Sequence, residues 1–421
     1  MSKKIKKKVP KLRFPEFKGD WESKYLDQVG DFKNGFNADK QAFGTGVEFV
    51  NLMDIFGKSE IRRTYLDRVE IPEKQLEPYK IQKGDVLFVR SSVKREGVGQ
   101  SCLVNDYFED TVYSGFIIRF REKSNTLYHL YKKYCFTESS FRKEILSFAT
   151  SSANTNINQD SLSQISLFYP SIAEQEKIAS FLGAIDTRLT QLRRKHKLLQ
   201  TYKRGVMQKI FSQEVRFKGA IGVAFPDWEE RKLGNIVAGS FSNGVFNDPN
   251  KLGQGYRLVN VKDMYNGDFI DVNSLTRLLL DEQEFKKNKA EHGDIFFTRS
   301  SLVKEGIAYS NILLSDDQDI TYDGHLIRFR FNHKYYLPQF MALAVKTSMA
   351  RKQFVSRGKT GTMTTIGQDD ISTVKISIPS KEEQEKIADF LTAIDQKIEA
   401  VARQIDRTEQ FKKGLLQKMF V

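Results

Sequence analysis

A single offset runs through this chain. Gly84-Asp85 returns as Gly293-Asp294, and 293 − 84 = 209; Arg90-Ser91-Ser92 returns as Arg299-Ser300-Ser301 at the same spacing. The tightest match sets residues 174–186 against 383–395, with 11 of 13 positions identical. The register opens near Trp21 and Trp228, at an offset of 207, and then holds at 209 to the end of the sequence. Chance does not hold one offset across so many separate blocks. The 421 residues are therefore two copies of one unit of about 200 residues, and any fold must be built twice.

Each copy has two parts. The first spans residues 21–170 and again 228–379. It carries short apolar or alternating runs, such as 86–89, 116–120 and 165–169, punctuated by Gly, Asn, Asp and Pro. That pattern predicts a mainly β domain, with helices over 127–147 and 337–355. The second part predicts a long helix over about 173–212 and 381–420. Ile178, Leu182, Ile185, Leu189, Leu192, Leu199, Val206 and Ile210 recur at spacings near 3.5, as do Ile387, Leu391, Ile394, Ile398, Val401, Ile405, Leu415 and Met419. Such a repeat makes a seam for another helix. His196, Lys203, Thr408 and Lys412 stand where apolar residues are expected, and Gly205 and Gly414 point to close packing or a bend. The expected fold class is α+β: a tandem duplication of a β-rich domain followed by a long helix, the two long helices pairing as an antiparallel coiled coil. The boundaries are a basic tail over 1–20, a domain over 21–170, a helix over 171–212, a linker over 213–227, a domain over 228–379 and a helix over 380–421. Some 40 residues at 1.5 Å give roughly 60 Å of rod, enough to hold two domains at opposite ends.

Lys and Arg total 67 against 53 Asp and Glu, a formal net charge of +14. Part of the excess lies in the lysine-rich opening, but the remainder is still net basic. Polyanions, nucleic acid first, are the expected partners. Two cysteines, Cys102 and Cys135, exclude a disulfide scaffold or a zinc ribbon and fit reduced thiols in a cytoplasmic protein. There is no apolar run long enough for a membrane span, and the basic N-terminus lacks the apolar stretch of a signal peptide.

Catalytic signatures are weak. Leu278-Leu279-Leu280-Asp281-Glu282 has the look of a Walker B strand and Gly358-Lys359-Thr360 that of a P-loop end, but the position needing the first P-loop glycine is Gln353. The counterpart of Lys359-Thr360 in the first copy is Thr150-Ser151. His129, His196, His292, His325 and His333 lack metal-ligand spacing. Asp85 and Asp294 follow Gly at strand starts, where a turn role is the default.

The duplicated pattern resembles the specificity subunit of type I restriction–modification enzymes. The resemblance covers about residues 12–421. It rests on Pro170 and Pro379, each followed after three residues by Glu-Gln-Glu-Lys-Ile-Ala-x-Phe-Leu, on the openings at 14–21 and 225–228, and on the Gly-Asp strand of each half. It implies that the β-rich parts are target recognition domains, each reading one half of a split site in double-stranded DNA. It implies that the long helices are spacers docking two methyltransferase subunits, which use S-adenosylmethionine. Two restriction subunits, using ATP with Mg2+, complete the endonuclease. The chain itself then binds no cofactor or metal and catalyses nothing.

Base edges and phosphates call for Arg, Lys, Asn, Gln, Ser or Thr. The first candidates for DNA contact follow the Gly-Asp strand: Arg90, Ser91, Ser92, Lys94 and Arg95, mirrored by Arg299, Ser300, Ser301 and Lys304. The second set lies in the polar loop 151–156, with Asn154, Thr155 and Asn156, and in its partner, with Lys359, Thr360, Thr362 and Thr364. Asn34 and Asn243, each before Gly, rank third. Shared residues should hold the DNA backbone, whereas differing ones, such as Lys94 against Val303, should let the halves read different bases. The alternatives are a coiled-coil scaffold whose β domains bind protein, and a nucleic-acid-dependent ATPase or nuclease.

Overall fold

The computed structural model describes residues 9–63, 65–151, 154–219 and 222–421. The described chain packs as two compact units. The first comprises the residues up to Arg194 together with Arg403–Val421, and the second comprises Lys195–Ala402.

In the first unit the main sheet runs in the order Gly30–Asn34, Ile117–Glu122, Val86–Val89, Ser101–Val104, Glu60–Ile61. Its pairings are antiparallel except the last. Val86–Val89 sits in the middle and is buried at every position, which is why it reads as an unbroken apolar run and not as an alternation. A second sheet sets Phe43–Val50 between Asp67–Val69 and Thr111–Tyr113. Glu22–Tyr25 pairs with Ser166–Tyr169, so the domain's first strand is closed by its last. The second unit repeats this with Ser242–Asn243, Leu326–Phe329, Ile295–Thr298 and Ser310–Ile312, with Leu252–Val259 between Thr276–Leu278 and Ile320–Tyr322, and with Glu229–Lys232 against Lys375–Ile378.

The repeated Gly-Asp has a structural reason. Asp85 is buried; it accepts from the backbone N–H of Gln82 at 2.7 Å and receives Arg121 through two bonds of 2.7 and 2.8 Å. Asp294 does the same with Glu291 N–H and Arg330. A buried carboxylate is tolerated here because each is paired and hydrogen-bonded.

Two expected helices are broken in two. The span 127–147 becomes a turn over His129–Tyr131, a helix over Lys132–Cys135 and another over Ser139–Phe148. The span 337–355 becomes Pro338–Ala344 and Ser348–Arg357. The restart is local chemistry. Glu138 caps the N–H groups of Ser140 and Phe141, and Thr347 caps Ala350, which outcompetes continuation of the helix.

The long helices span Ile172–Phe211 and Lys381–Met419. Each N-terminus is fastened to its domain by the most strongly repeated motif. Gln175 accepts from Tyr128 N–H and donates to the carbonyls of Thr126 and Pro170, and Gln384 bonds Leu337, Tyr335 and Pro379 in the same way. Glu174 pairs with Arg13 at 2.7 Å and Glu383 with Arg216 at 2.8 Å. The opening phenylalanines do not correspond one to one. Phe14 meets both the Phe181 ring and Lys177, while in the second copy Phe217 meets Phe390 and Phe225 meets Lys386. One residue's two roles are thus divided between two.

The far helix ends close the cores. In the first unit Phe420 stacks on Tyr131 and lies edge-on to Trp21, alongside buried Leu415 and Met419. In the second, Phe211 stacks on Phe340 and lies edge-on to Trp228. Within each unit, stretches of the two long helices run antiparallel: Asp186 meets Lys412 and Arg193 meets Glu409 in the first, and Lys203 meets Asp395 in the second. Lys412 and Lys203 therefore interrupt the apolar seam as ion-pair partners. His196 is half-buried, and Thr408 donates to the Gln404 carbonyl at 2.6 Å. Gly205 and Gly414 do not serve close packing: both helices continue through them, and among the described residues nothing would stand within 4 Å of a Cβ added at either.

The two seam carboxylates differ. Burial opposes ionisation of Asp186, but the hydrogen bonds from Lys412 and Lys133 outweigh it and hold its carboxyl below the ordinary range. Burial pushes Asp395 up, and Lys203, which also faces Asp268 at 3.5 Å, offsets only part of this. Asp186 thus adds stability above the unfolded carboxyl value, near 4, and loses it as pH falls through its lowered value. The contribution of Asp395 is present below that unfolded value and is lost as pH rises through its raised one. Asp186→Asn should destabilise the first unit at neutral pH, with the deficit closing as pH falls through the lowered value of Asp186. Asp395→Asn should leave the second unit unchanged or more stable at neutral pH, as read by thermal melting across pH.

Phe420→Ala and Phe211→Ala should each cost about 3–5 kcal/mol. The chain's two tryptophans, Trp21 and Trp228, touch one clamp each. Denaturant unfolding of single-tryptophan variants, made with Trp21→Phe or Trp228→Phe, should place each loss in its own unit.

Candidate nucleic-acid interface

The chain leaves the central strand of the main sheet at Arg90 and at Arg299. Ser91–Ser92 then pairs with Thr155–Asn156, which pairs with Thr150–Ser151. In the second copy Ser300–Ser301 pairs with Thr364–Thr365, and that strand with Lys359–Thr360. The first two candidate segments, far apart in sequence, thus lie on one small three-stranded sheet in each copy. Ile157 N–H bonds the Arg90 carbonyl and Ile366 N–H that of Arg299, each at 3.0 Å, which fixes the small sheet to the large one.

Exposure sorts the candidates. Lys94, Arg95, Asn154, Arg299, Lys304, Lys359, Thr360 and Thr362 are exposed; Arg90, Ser91, Ser92, Asn156, Ser300 and Ser301 are half-buried. Thr155 and Thr364 are buried, because strand pairing turns them inward, so neither offers a surface hydroxyl. Ser152 and Ala153, which belong to the predicted loop, lie outside the described residues. Arg90 donates to the Gly115 carbonyl at 3.1 Å, Arg95 to that of Leu146 at 3.3 Å, and Lys359 lies 3.4 Å from Asp370. The turn after the Ser-Ser strand needs glycine: a Cβ on Gly97 or Gly306 would stand 2.2 or 2.4 Å from the hydroxyl of Ser92 or Ser301.

Asn34 and Asn243 are half-buried strand residues and not turn residues. Asn243 donates to the Gly324 carbonyl at 3.1 Å and accepts from Gln368 at 2.6 Å. Gln159, the counterpart of Gln368, satisfies its neighbours when its amide oxygen faces the Asn34 backbone N–H, 3.1 Å away.

Two residues that sequence reasoning passed over support this surface. Arg142 donates to the carbonyls of Glu96 and Val98, and Arg351 to those of Glu305, Ile307 and Ala308. Both hold the basic turn from behind, and burial lowers the pKa of both. Their common offset of 209 was the available signal.

The enzyme-like motifs have other duties. Asp281 caps the helix Glu282–Lys287, and Gly358 ends Ser348–Arg357. Cys102 is pushed up to about 12 by burial, so its thiol is not activated. Among the described residues no group of His, Cys, Asp and Glu is placed to hold a metal ion, and no helix is long and apolar enough to cross a membrane.

The chain matches the family described as Type I restriction modification DNA specificity domain twice, over residues 18–200 and 226–410. It belongs to that family. The specificity subunit is 25% identical over 426 residues to the putative MjaX specificity subunit of Methanocaldococcus jannaschii, covering 96% of this chain and 94% of that one. It is 22% identical to the EcoKI specificity subunit of Escherichia coli K12, over 84% and 78% of the two chains. The fold matches the S subunit crystal structure from M. genitalium with a TM-score of 0.55 at 17% identity, covering 98% and 99%. A chain from work on complex assembly and conformational transition of the type I R-M system matches with a TM-score of 0.61 at 16% identity, covering 95% and 97%. The specificity subunit selects DNA within a type I complex that includes other subunits and has no catalytic role of its own.

Arg299→Ala should weaken DNA binding by the assembled complex across sequences. It should also reduce the slope of log affinity against log salt by about 1 between roughly 50 and 200 mM salt, as measured by fluorescence anisotropy. Arg90→Ala should do the same and also loosen the turn at Gly115. An unchanged slope in both variants would remove this strand end from the phosphate contacts.

Proposed function

We propose that this specificity subunit reads a split target in double-stranded DNA, one half-site per β-rich domain, with Arg90, Ser91, Ser92 and Lys94 on one domain and Arg299, Ser300, Ser301 and Lys304 on the other facing the duplex. The observation that carries this reading is the duplicated small sheet: the same basic and hydroxyl-bearing strand ends, built twice on the same scaffold. Half-site readers of this kind hold two similar modules at a set spacing.

The long helices set that spacing and dock two methyltransferase subunits. In support, Tyr202 and Phe411 are equivalent by the 209 offset, and both are exposed aromatics on the long helices, 52% and 56% accessible. A matched pair of exposed aromatics suits two copies of one partner. The methyltransferase subunits use S-adenosylmethionine, and two restriction subunits use ATP with Mg2+; the complex works in the cytoplasm.

Methylation-site mapping by long-read sequencing, in cells carrying this chain with its methyltransferase subunits, should return one motif of two short half-sites around a fixed gap. An assembled complex that methylates no split motif would overturn the reading. Seven residues inserted into each long helix add about 10 Å, close to three base pairs. The gap should grow accordingly with both half-sites unchanged; an unchanged gap would remove the spacer role.

A further inference from the structure

Beside each small sheet, one tight turn carries a side chain that differs between the copies on a backbone that does not. In the first copy it is Ser114-Gly115-Phe116 and in the second Asp323-Gly324-His325. Ser114 N–H bonds the Val50 carbonyl, Gly115 N–H that of Phe36, and Ile117 N–H that of Ser114, while the Phe116 carbonyl accepts from Arg90 N–H at 2.9 Å. The second copy repeats every one of these: Asp323 to Val259, Gly324 to Val245, Leu326 to Asp323, and Arg299 N–H to the His325 carbonyl at 2.9 Å. The flanking Ile117 and Leu326 are fully buried, yet Phe116 is 61% exposed and the His325 side chain 67%. A large side chain is held out into solvent by a hydrogen-bonded turn directly beside the Arg-Ser-Ser strand.

The surroundings fit a base edge. Phe116 lines an open cleft of about 720 Å3 with Asn37, Asn51, Met53 and Tyr65, the last two strongly exposed. In the second copy the buried Asp323 carboxylate accepts from His325 N–H at 2.7 Å and lies 2.8 Å from Nδ1. The carboxylate beside Nδ1 fixes the orientation of the ring and favours the tautomer protonated there, so that the neutral ring accepts through Nε2. Phenylalanine has no chemistry for a phosphate, and residues that grip phosphate carry no sequence information. The constant parts of this turn suit the task the two halves share, and the variable side chain suits the task in which they differ.

We propose that residues 116 and 325 are the specificity-determining contacts of the two recognition domains. Phe116 packs on the C5-methyl group of a thymine, and His325 accepts through Nε2 from an exocyclic amino group, adenine N6 or cytosine N4, in the major groove. The inference rests on the split-site reading above.

The test is methylation mapping with the assembled methyltransferase complex carrying Phe116→Ala, His325→Ala, Phe116→His or His325→Phe. Both side chains are exposed, so the variants keep the fold, which co-purification with the methyltransferase subunits and an unchanged melting curve verify. Each alanine variant should relax one base pair of one half-site, reducing discrimination there about 5- to 150-fold. The affected half-site should differ between the two positions, and the gap should stay constant. The base lost with His325→Ala identifies adenine or cytosine as the amino donor, and the Phe116→His and His325→Phe exchanges should change the preferred base at those same pairs. A motif unchanged in all four variants, or a uniform loss over all sites, overturns the proposal. A wild-type complex with no split motif instead overturns the split-site reading itself.

Discussion

Each compact unit depends on an aromatic clamp around the end of a long helix. Phe420 lies between Tyr131 and Trp21, and Phe211 between Phe340 and Trp228. A buried phenylalanine contributes a few kcal/mol, a large share of the margin by which a domain is stable. The first unit takes its clamp residue from 403–421, beyond the whole second unit in sequence, so its core cannot be completed by the first half of the chain. Each long helix begins in the unit of its own β domain and finishes in the core of the other.

The motifs that repeat most faithfully are fasteners, not readers. Glu174 and Gln175, with Glu383 and Gln384, are almost fully buried and spend their hydrogen bonds on the helix start. Asp85 and Asp294 are locked to arginines inside the sheet. A buried polar group left without its partner is costly, so such residues tolerate little change. An exposed side chain on a fixed turn has no such constraint, and there the two copies have diverged, to Phe116 and His325. Identity at these buried positions therefore marks the shared scaffold.

Much of the architecture was legible in the sequence because it is periodic. A 3.5-residue apolar spacing locates both long helices to within a residue or two, and the constant offset gives the tandem order. The breaks at Glu138 and Thr347 were not legible, since capping depends on one side chain competing locally with a helix that composition otherwise favours. The small sheet was half legible. Both candidate segments could be chosen by residue type, but their pairing is long-range, and only the pairing shows that Thr155 and Thr364 turn inward while Lys359 and Thr360 remain exposed. Lys203 and Lys412 looked like defects in a seam because their partners, Asp395 and Asp186, stand on the other helix.

Those two ion pairs also limit how the helices can register. A charge buried without its partner costs far more than a weak apolar contact. If the helices slipped by one heptad, Lys412 would meet Ala179 or Arg193 in place of Asp186, and Lys203 would meet Ala388 or Ala402 in place of Asp395. The apolar repeat alone would accept that slip, since a heptad shift returns apolar residues to apolar positions. Lys412 opposes it in the first unit, where the ion pair outweighs the burial of Asp186. A seam that gives up some apolar burial for a half-buried charge gains preference for one register.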